Sequence, residues 1–214
     1  HAHGKYGLAR RTAPRMLRVG LTGGYATGKS FVGRELERLG CFVIDADRLG
    51  HRVLESGGEA FEPTVREFGP DILAPDGSID RKRLGAIVFS SPEALQRLSA
   101  LVHPAVIRIE EEMLTQFERK NPQGIAIVEA AILIETGRYQ RFDRIILTTC
   151  DEETQIRRGM ARDGLTRERV LARIARQMPL EEKQPFAHYL IDTSSPKEAT
   201  AQCVRELYRE LNAI

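Results

Sequence analysis

No stretch of this chain approaches the ~20 consecutive apolar residues that a membrane-spanning helix needs. The longest candidate, residues 124–135 (GIAIVEAAILIE), is interrupted by Glu129. No membrane partner is expected. Cysteine is scarce too. Cys41, Cys150 and Cys203 stand alone, with no CxxC pair and no histidine at ligand spacing. That argues against a zinc site and a disulfide scaffold and fits a reducing compartment. Cys41 and Cys150 flank apolar runs and are expected to be small buried hydrophobes. An excess of positive charge is also missing. With 32 basic and 30 acidic residues the formal net charge is +2, so no broad nucleic-acid footprint is expected. The opening HAHGKYGLARRTAPR is basic but has no apolar centre, unlike a secretory signal. It starts at His1 rather than Met. Residues 1–15 are expected to be a leader, vector-derived or disordered, with Met16 the natural start.

What remains suits one domain over residues 16–214. Its hydrophobic fraction of 42% is enough for a core. LRVGLTG (17–23) reads as a buried strand ending in glycine. Val32, Leu36 and Leu39 then share one helix face, with Gly40 as the stop. CFVID (41–45), IAIVEAAILI (125–134, running into irregular structure), DRIILTT (143–149) and HYLID (188–192) complete a set of five predicted strands.

Helical patterns lie between the strands. One runs from Pro92 through Leu95, Leu98 and Val102. Another, Val106, Ile109, Met113 and Phe117, keeps helical spacing, with His103-Pro104 reading as a helix start. Asp151 reads as an N-cap. Ser195-Pro196-Lys197-Glu198 reads as a capping box ahead of Cys203, Leu207 and Leu211. Strands alternating with helices predict an α/β fold, a parallel sheet covered on both faces. The gap of about eighty residues before the third strand is too long for a simple crossover. It predicts a helical insertion over about 52–120, and the arginine-rich stretch 151–187 is a second helical excursion.

The glycines concentrate where the first strand meets the first helix, in GLTGGYATGKS (20–30). Gly23-x-x-x-x-Gly28-Lys29-Ser30 in that setting is a phosphate-binding loop, or P-loop. Its glycines turn the backbone so that consecutive N–H groups converge, and the helix aims its positive end at the same point. Residues Gly23, Gly24, Ala26, Thr27, Gly28, Lys29, Ser30 and Phe31 are the predicted nucleotide site. Lys29 is assigned to the β and γ phosphates and Ser30 to Mg²⁺. The guanine-reading Asn-Lys-x-Asp and the Leu-Ser-Gly-Gly-Gln of transporter ATPases are both missing. A small kinase using ATP and Mg²⁺ is therefore favoured over a GTPase or a transporter.

VIDADRLGH (43–51) supplies carboxylates at the end of the second strand, where open α/β sheets build their sites. Asp47 is assigned to the acceptor hydroxyl and the metal, with Asp45 in support. Either carboxylate can instead cap the following helix. Arg158 and Arg162 share a helix face. They form either a solvated basic face or a lid that brings guanidinium groups onto the transferring phosphoryl and excludes water.

These pieces resemble the dephospho-CoA kinase family. The resemblance covers about residues 17–212. It rests on the glycine loop, VIDADRLGH, DGSIDRKRLGAIVF (76–89), LSALVHP (98–104), AILIETG (131–137), TQIRRGMARDGLT (154–166) and ARQMPLEEK (175–183). It implies a P-loop kinase core, a helical CoA-binding region and a lid over about 151–187. It also implies transfer of the ATP γ-phosphoryl to the ribose 3′-hydroxyl of dephospho-CoA. Asp47 matches the family's base, Lys29 and Ser30 its phosphate and magnesium residues, Arg158 and Arg162 its lid arginines, and His103 its His-Pro segment near the acceptor. The chain departs from the family at Phe31, Ala131, His188, Thr193 and Ser195, which puts nucleotide preference in question rather than the reaction. The chain is expected to be cytoplasmic and a monomer or weak oligomer. The rivals are another small-molecule or nucleotide P-loop kinase and a non-enzymatic ATP-binding switch.

Overall fold

The structure, a computed structural model, describes residues 15–214. Residues 1–14 of the expected leader lie outside the described residues. Arg15 pairs with Asp143, and Met16 is buried.

Five strands, β1 (Leu17–Gly23), β2 (Phe42–Asp45), β3 (Ile125–Glu129), β4 (Arg144–Thr149) and β5 (Tyr189–Asp192), form one sheet in the order β2-β3-β1-β4-β5. The pairs β1–β3, β1–β4 and β4–β5 run parallel. Parallel strands need crossovers, and helices provide them. All five strands lie where the sequence predicts them, with one correction. The third ends at Glu129, and residues 131–137 turn instead of extending to Ile134.

The central strands β1, β3 and β4 are buried on both faces, which is why they read as continuous apolar runs rather than alternating ones. On one face Leu17, Val19, Leu21, Ile125, Ile127, Ile146 and Ile191 pack with Val32 and Leu36 of α1 (Lys29–Arg38). Val204, Leu207 and Leu211 of α9 (Lys197–Asn212) join the same cluster. On the other face Gly20 leaves room for Leu133, Ile145 and Phe142. A Cβ there would stand 2.5 Å from Leu133 Cδ2.

The chain divides into two compact units, residues up to Ile44 with Phe117–Ile214, and Asp45–Gln116. The second is helical: α2 (Ala46–Val53), α3 (Phe61–Phe68), α4 (Arg81–Ser90) and most of α5 (Pro92–Lys120). Its own core joins Ile72, Leu84, Val88 and Ala94 to Leu54, Val65, Phe68, Ile79 and Leu98. In the first unit, α6 (Glu152–Asp163), α7 (Arg167–Ala175) and α8 (Leu180–Lys183) make up the arginine-rich excursion.

Three local expectations are corrected. His103-Pro104 is not a helix start, because both residues lie inside the 29-residue α5. The capping box at Ser195 does not form. Pro196 takes the N-cap position with φ −54° and ψ 154°, and no side chain caps α9. Cys203 is exposed, because the buried face of α9 runs through Thr200, Val204, Leu207 and Leu211. Asp151, by contrast, caps α6 by accepting from the Thr154 N–H at 2.8 Å.

Candidate active site

Residues 23–31 leave β1 and enter α1 through two left-handed positions, Ala26 (φ 55°) and Gly28 (φ 81°). The loop is held from inside by Thr27. Its Oγ1 accepts from the Gly24 N–H at 3.0 Å, and its hydroxyl lies 2.9 Å from the Thr148 hydroxyl. Thr148 is opposite Gly23 in the β1–β4 register and donates to the Thr22 carbonyl. A Cβ on Gly23 would fall 2.1 Å from Thr148 Oγ1 and 2.4 Å from Thr27 Oγ1. Only glycine fits there, so the first glycine of the motif is fixed by packing as well as by backbone freedom. The ladder of α1 opens with the Val32 N–H bonding Gly28 O, so the amides of the preceding turn have no carbonyl within the helix.

Lys29 and Ser30, the first residues of α1, converge on one carboxylate. Ser30 Oγ donates to Glu129 Oε1 at 3.0 Å, and Lys29 Nζ stands 3.6 Å from the same oxygen. Glu129 is buried at the end of β3, in register with Leu21, two residues before the loop begins. Gly33 makes room for it, since a Cβ there would lie 2.9 Å from Oε2. Sequence reasoning missed this residue as a site member. The available signal was an acidic side chain closing an apolar strand. Ser30 and Glu129 together offer the hard oxygen donors that Mg²⁺ prefers, a hydroxyl backed by a carboxylate.

Arg158 and Arg162 of α6 are both anchored. Arg158 donates from Nη1 to Thr193 Oγ1 at 2.8 Å and from Nη2 to the Thr193 carbonyl. Thr193 is buried and donates in turn to the Thr27 carbonyl at 2.7 Å. Arg158 therefore reaches the loop through one threonine. Arg162 bonds Asp163 with both Nε and Nη2, at 3.0 and 3.1 Å, and lies 5.0 Å over the Tyr25 ring. The Tyr25 hydroxyl donates to Asp163, and Gln155 Nε2 donates to the Tyr25 carbonyl at 2.8 Å. Burial and the neighbouring carboxylate raise the Tyr25 pKa, while Arg162 and Tyr25 hold Asp163 below the usual carboxylate range. Tyr25 thus docks α6 onto the loop. Gly159 allows this, because a Cβ there would fall 2.6 Å from the Tyr25 ring.

Phe31 has Lys197 5.8 Å from its ring centre. His188 accepts the Ile145 N–H at ring Nδ1 (3.0 Å), and its backbone N–H donates to Ile145 O.

The remaining predicted residues belong to the 45–116 unit. Asp45 caps α2, its Oδ1 accepting from the Arg48 N–H at 3.1 Å. Asp47 is exposed in the first turn of the same helix, and His103 is half-buried in α5. A cleft of about 230 Å³ in this unit is lined by His51, Leu54, Glu55, Ser56, Ser78, Ile79 and Arg81. No group of three or more metal-ligating side chains occurs among the described residues.

The family model described as dephospho-CoA kinase matches residues 17–198. A dephospho-CoA kinase of Geobacter sulfurreducens is 44% identical over 190 residues, 89% of this chain and 96% of its own. A dephospho-CoA kinase domain-containing protein of Danio rerio is 42% identical over 200 residues, covering 92% and 86%. Among solved structures, TT1252 from Thermus thermophilus is 34% identical with a TM-score of 0.79, covering 92% of this chain and 98% of that one. A dephospho-CoA kinase from Campylobacter jejuni is 27% identical with a TM-score of 0.68, at the same coverage. The glycine loop, all five strands and the arginine-rich helices α6–α8 thus lie within one continuous match, and the chain belongs to the dephospho-CoA kinase family.

Proposed function

We propose that the chain transfers the γ-phosphoryl group of ATP to the ribose 3′-hydroxyl of dephospho-CoA, giving coenzyme A and ADP. The observation that carries this reading is the convergence of Lys29 and Ser30 on Glu129 at the mouth of the glycine loop, in a chain of this family. Amides of residues 23–31 hold the triphosphate, and Lys29 turns from Glu129 to the β and γ phosphates when they arrive. Ser30, with Glu129 behind it, and Asp47 as the second carboxylate would hold Mg²⁺, which would supply charge neutralisation at the phosphates.

Asp47 accepts the proton of the attacking 3′-hydroxyl. The new bond joins the 3′-oxygen to the γ-phosphorus, the bond from that phosphorus to the bridging oxygen breaks, and ADP leaves with the electron pair. The transition state of such transfers is loose, so alignment and charge stabilisation supply most of the acceleration. Arg158 and Arg162 add positive charge on the lid side and exclude water. The cleft of the 45–116 unit, with the Arg81 guanidinium and the His51 ring among its lining groups, suits an anionic part of the acceptor.

Incubation with ATP·Mg²⁺ and a panel of acceptors tests the reading. ADP is expected with dephospho-CoA and not with nucleosides, nucleotides or water alone. Equal release without an acceptor removes the transferase, and release with another acceptor only moves the chain to a different substrate.

A further inference from the structure

The most deeply buried cation among the described residues has no part in the chemistry above. Lys183, the last residue of α8, has none of its surface exposed. Its Nζ donates to the Gly23 carbonyl at 2.9 Å, reaches the Ala131 carbonyl at 3.5 Å and pairs with Glu135 Oε1 at 3.1 Å. One ammonium therefore joins the start of the glycine loop, the turn after β3 and the foot of the arginine-rich excursion. Burial pushes its pKa down, Glu135 pulls it back up, and Lys29 is near enough to lower it. Burying an ammonium is costly, and a well-packed apolar side chain often does as well for stability alone. A role in stability is thus a weak account of this lysine.

The geometry suggests another. In a trans peptide the C=O of one residue and the N–H of the next point in opposite directions. The Gly23 carbonyl points to Lys183, and the Gly24 N–H, in the same plane, points to Thr27 Oγ1 at 3.0 Å. Both ends of the first peptide plane of the loop are therefore tied. Without the lysine, that plane is held at one end alone, by Thr27, and the start of the loop is less firmly fixed.

We propose that Lys183 is a positioning residue for the phosphate-binding loop: it fixes the Gly23–Gly24 peptide so that the loop meets a triphosphate with its amides. This rests on the reading of residues 23–31 as the triphosphate site. Lys183 touches no substrate and acts through the loop. Its positive charge also adds to the potential felt by the phosphates.

The test compares wild type, Glu135→Gln and the double variant Lys183→Met/Glu135→Gln, which leaves no orphaned buried charge. Melting temperature, equilibrium binding of a fluorescent ATP analogue and separate KM values for ATP and acceptor are measured. The double variant is expected to stay folded while its ATP affinity falls and its ATP KM rises by roughly ten- to a hundredfold, the span of one charge-assisted hydrogen bond. Its acceptor KM is expected to stay within about threefold, since the lysine acts on the ATP side alone. Wild-type ATP affinity in a folded double variant overturns the proposal. Glu135→Gln keeps Lys183 on Gly23 and is expected to bind ATP nearly as wild type does. A tenfold loss there assigns the effect to the ion pair and overturns the proposal even if the double variant does not fold. If the wild type itself binds no ATP analogue, the reading of the loop falls and this inference falls with it.

Discussion

Ser30 and Lys29 meet Glu129 at a single oxygen, so one carboxylate serves both the hydroxyl assigned to the metal and the lysine assigned to the phosphates. Glu129→Gln keeps an acceptor for Ser30 and removes the charge. The expected result is a folded enzyme whose half-saturating Mg²⁺ rises by about 10- to 100-fold, the usual cost of losing a partner behind a metal ligand. A Mg²⁺ titration of the rate checks it. Asp47 carries a different load. Asp47→Asn leaves an exposed polar side chain on α2, so folding should persist while kcat falls by about 10²- to 10⁴-fold, the range for removing a general base. Near-wild-type turnover in that variant takes the base assignment away from Asp47. The two carboxylates also differ in legibility. Asp47 sits in a short local motif. Glu129 has its partner Ser30 99 residues away, and no local pattern reveals such a pairing.

Elements carry the next level of behaviour. Helix α1 faces the sheet with Val32 and Leu36, both fully buried. Leu36→Ala should cost about 2–5 kcal/mol through lost transfer energy and the cavity left behind. Denaturant unfolding measures it. At the far edge of the sheet, β5 is extended by the His188 ring, which accepts the Ile145 N–H only while Nδ1 is unprotonated. Burial, then Arg144, push the His188 pKa below 6.5. The unfolded chain therefore takes up the proton first as pH falls. The contribution of this contact is complete above about pH 6.5 and is lost as pH drops through the lower folded value. His188→Gln keeps an acceptor and does not titrate, so its melting temperature should fall less than wild type between pH 7.5 and 5.5. An equal fall in both removes His188 as the cause.

The ends of β1, β2 and β5 were legible because their apolar runs close at Gly23, Asp45 and Asp192. The start of α9 was not, because Pro196 holds the backbone extended at the point where a capping serine would have to sit. Lys183 was not legible either. In LEEK a lysine after two glutamates reads as solvated, and only the fold shows that its chain turns inward.

At the scale of the whole molecule, a ligand that binds the folded chain alone must stabilise it. ATP·Mg²⁺ at about 100 times its Kd should add about 2.7 kcal/mol. For a chain of this size that corresponds to a rise of roughly 5–10 °C in Tm. Lys29→Ala should abolish most of that rise in a protein that stays folded, with a lower ligand-free Tm because Glu129 loses its cation. A thermal melt with and without nucleotide checks both statements. The near-balance of 32 basic and 30 acidic residues means that attraction for anions is local to the loop and the lid. Affinity for ATP should therefore fall only modestly as salt rises, beyond the direct screening of the phosphate contacts.

The cysteines differ in their surroundings. Cys41 is sealed under the sheet with its thiol pushed up to about 12, and Cys150 is half-buried with its thiol also raised. Cys203 is exposed on the outer side of α9. Maleimide reagents attack thiolates, so at neutral pH a dye should attach at position 203 first. The native sequence thus carries its own handle for single-molecule fluorescence, and nothing need be mutated to install one.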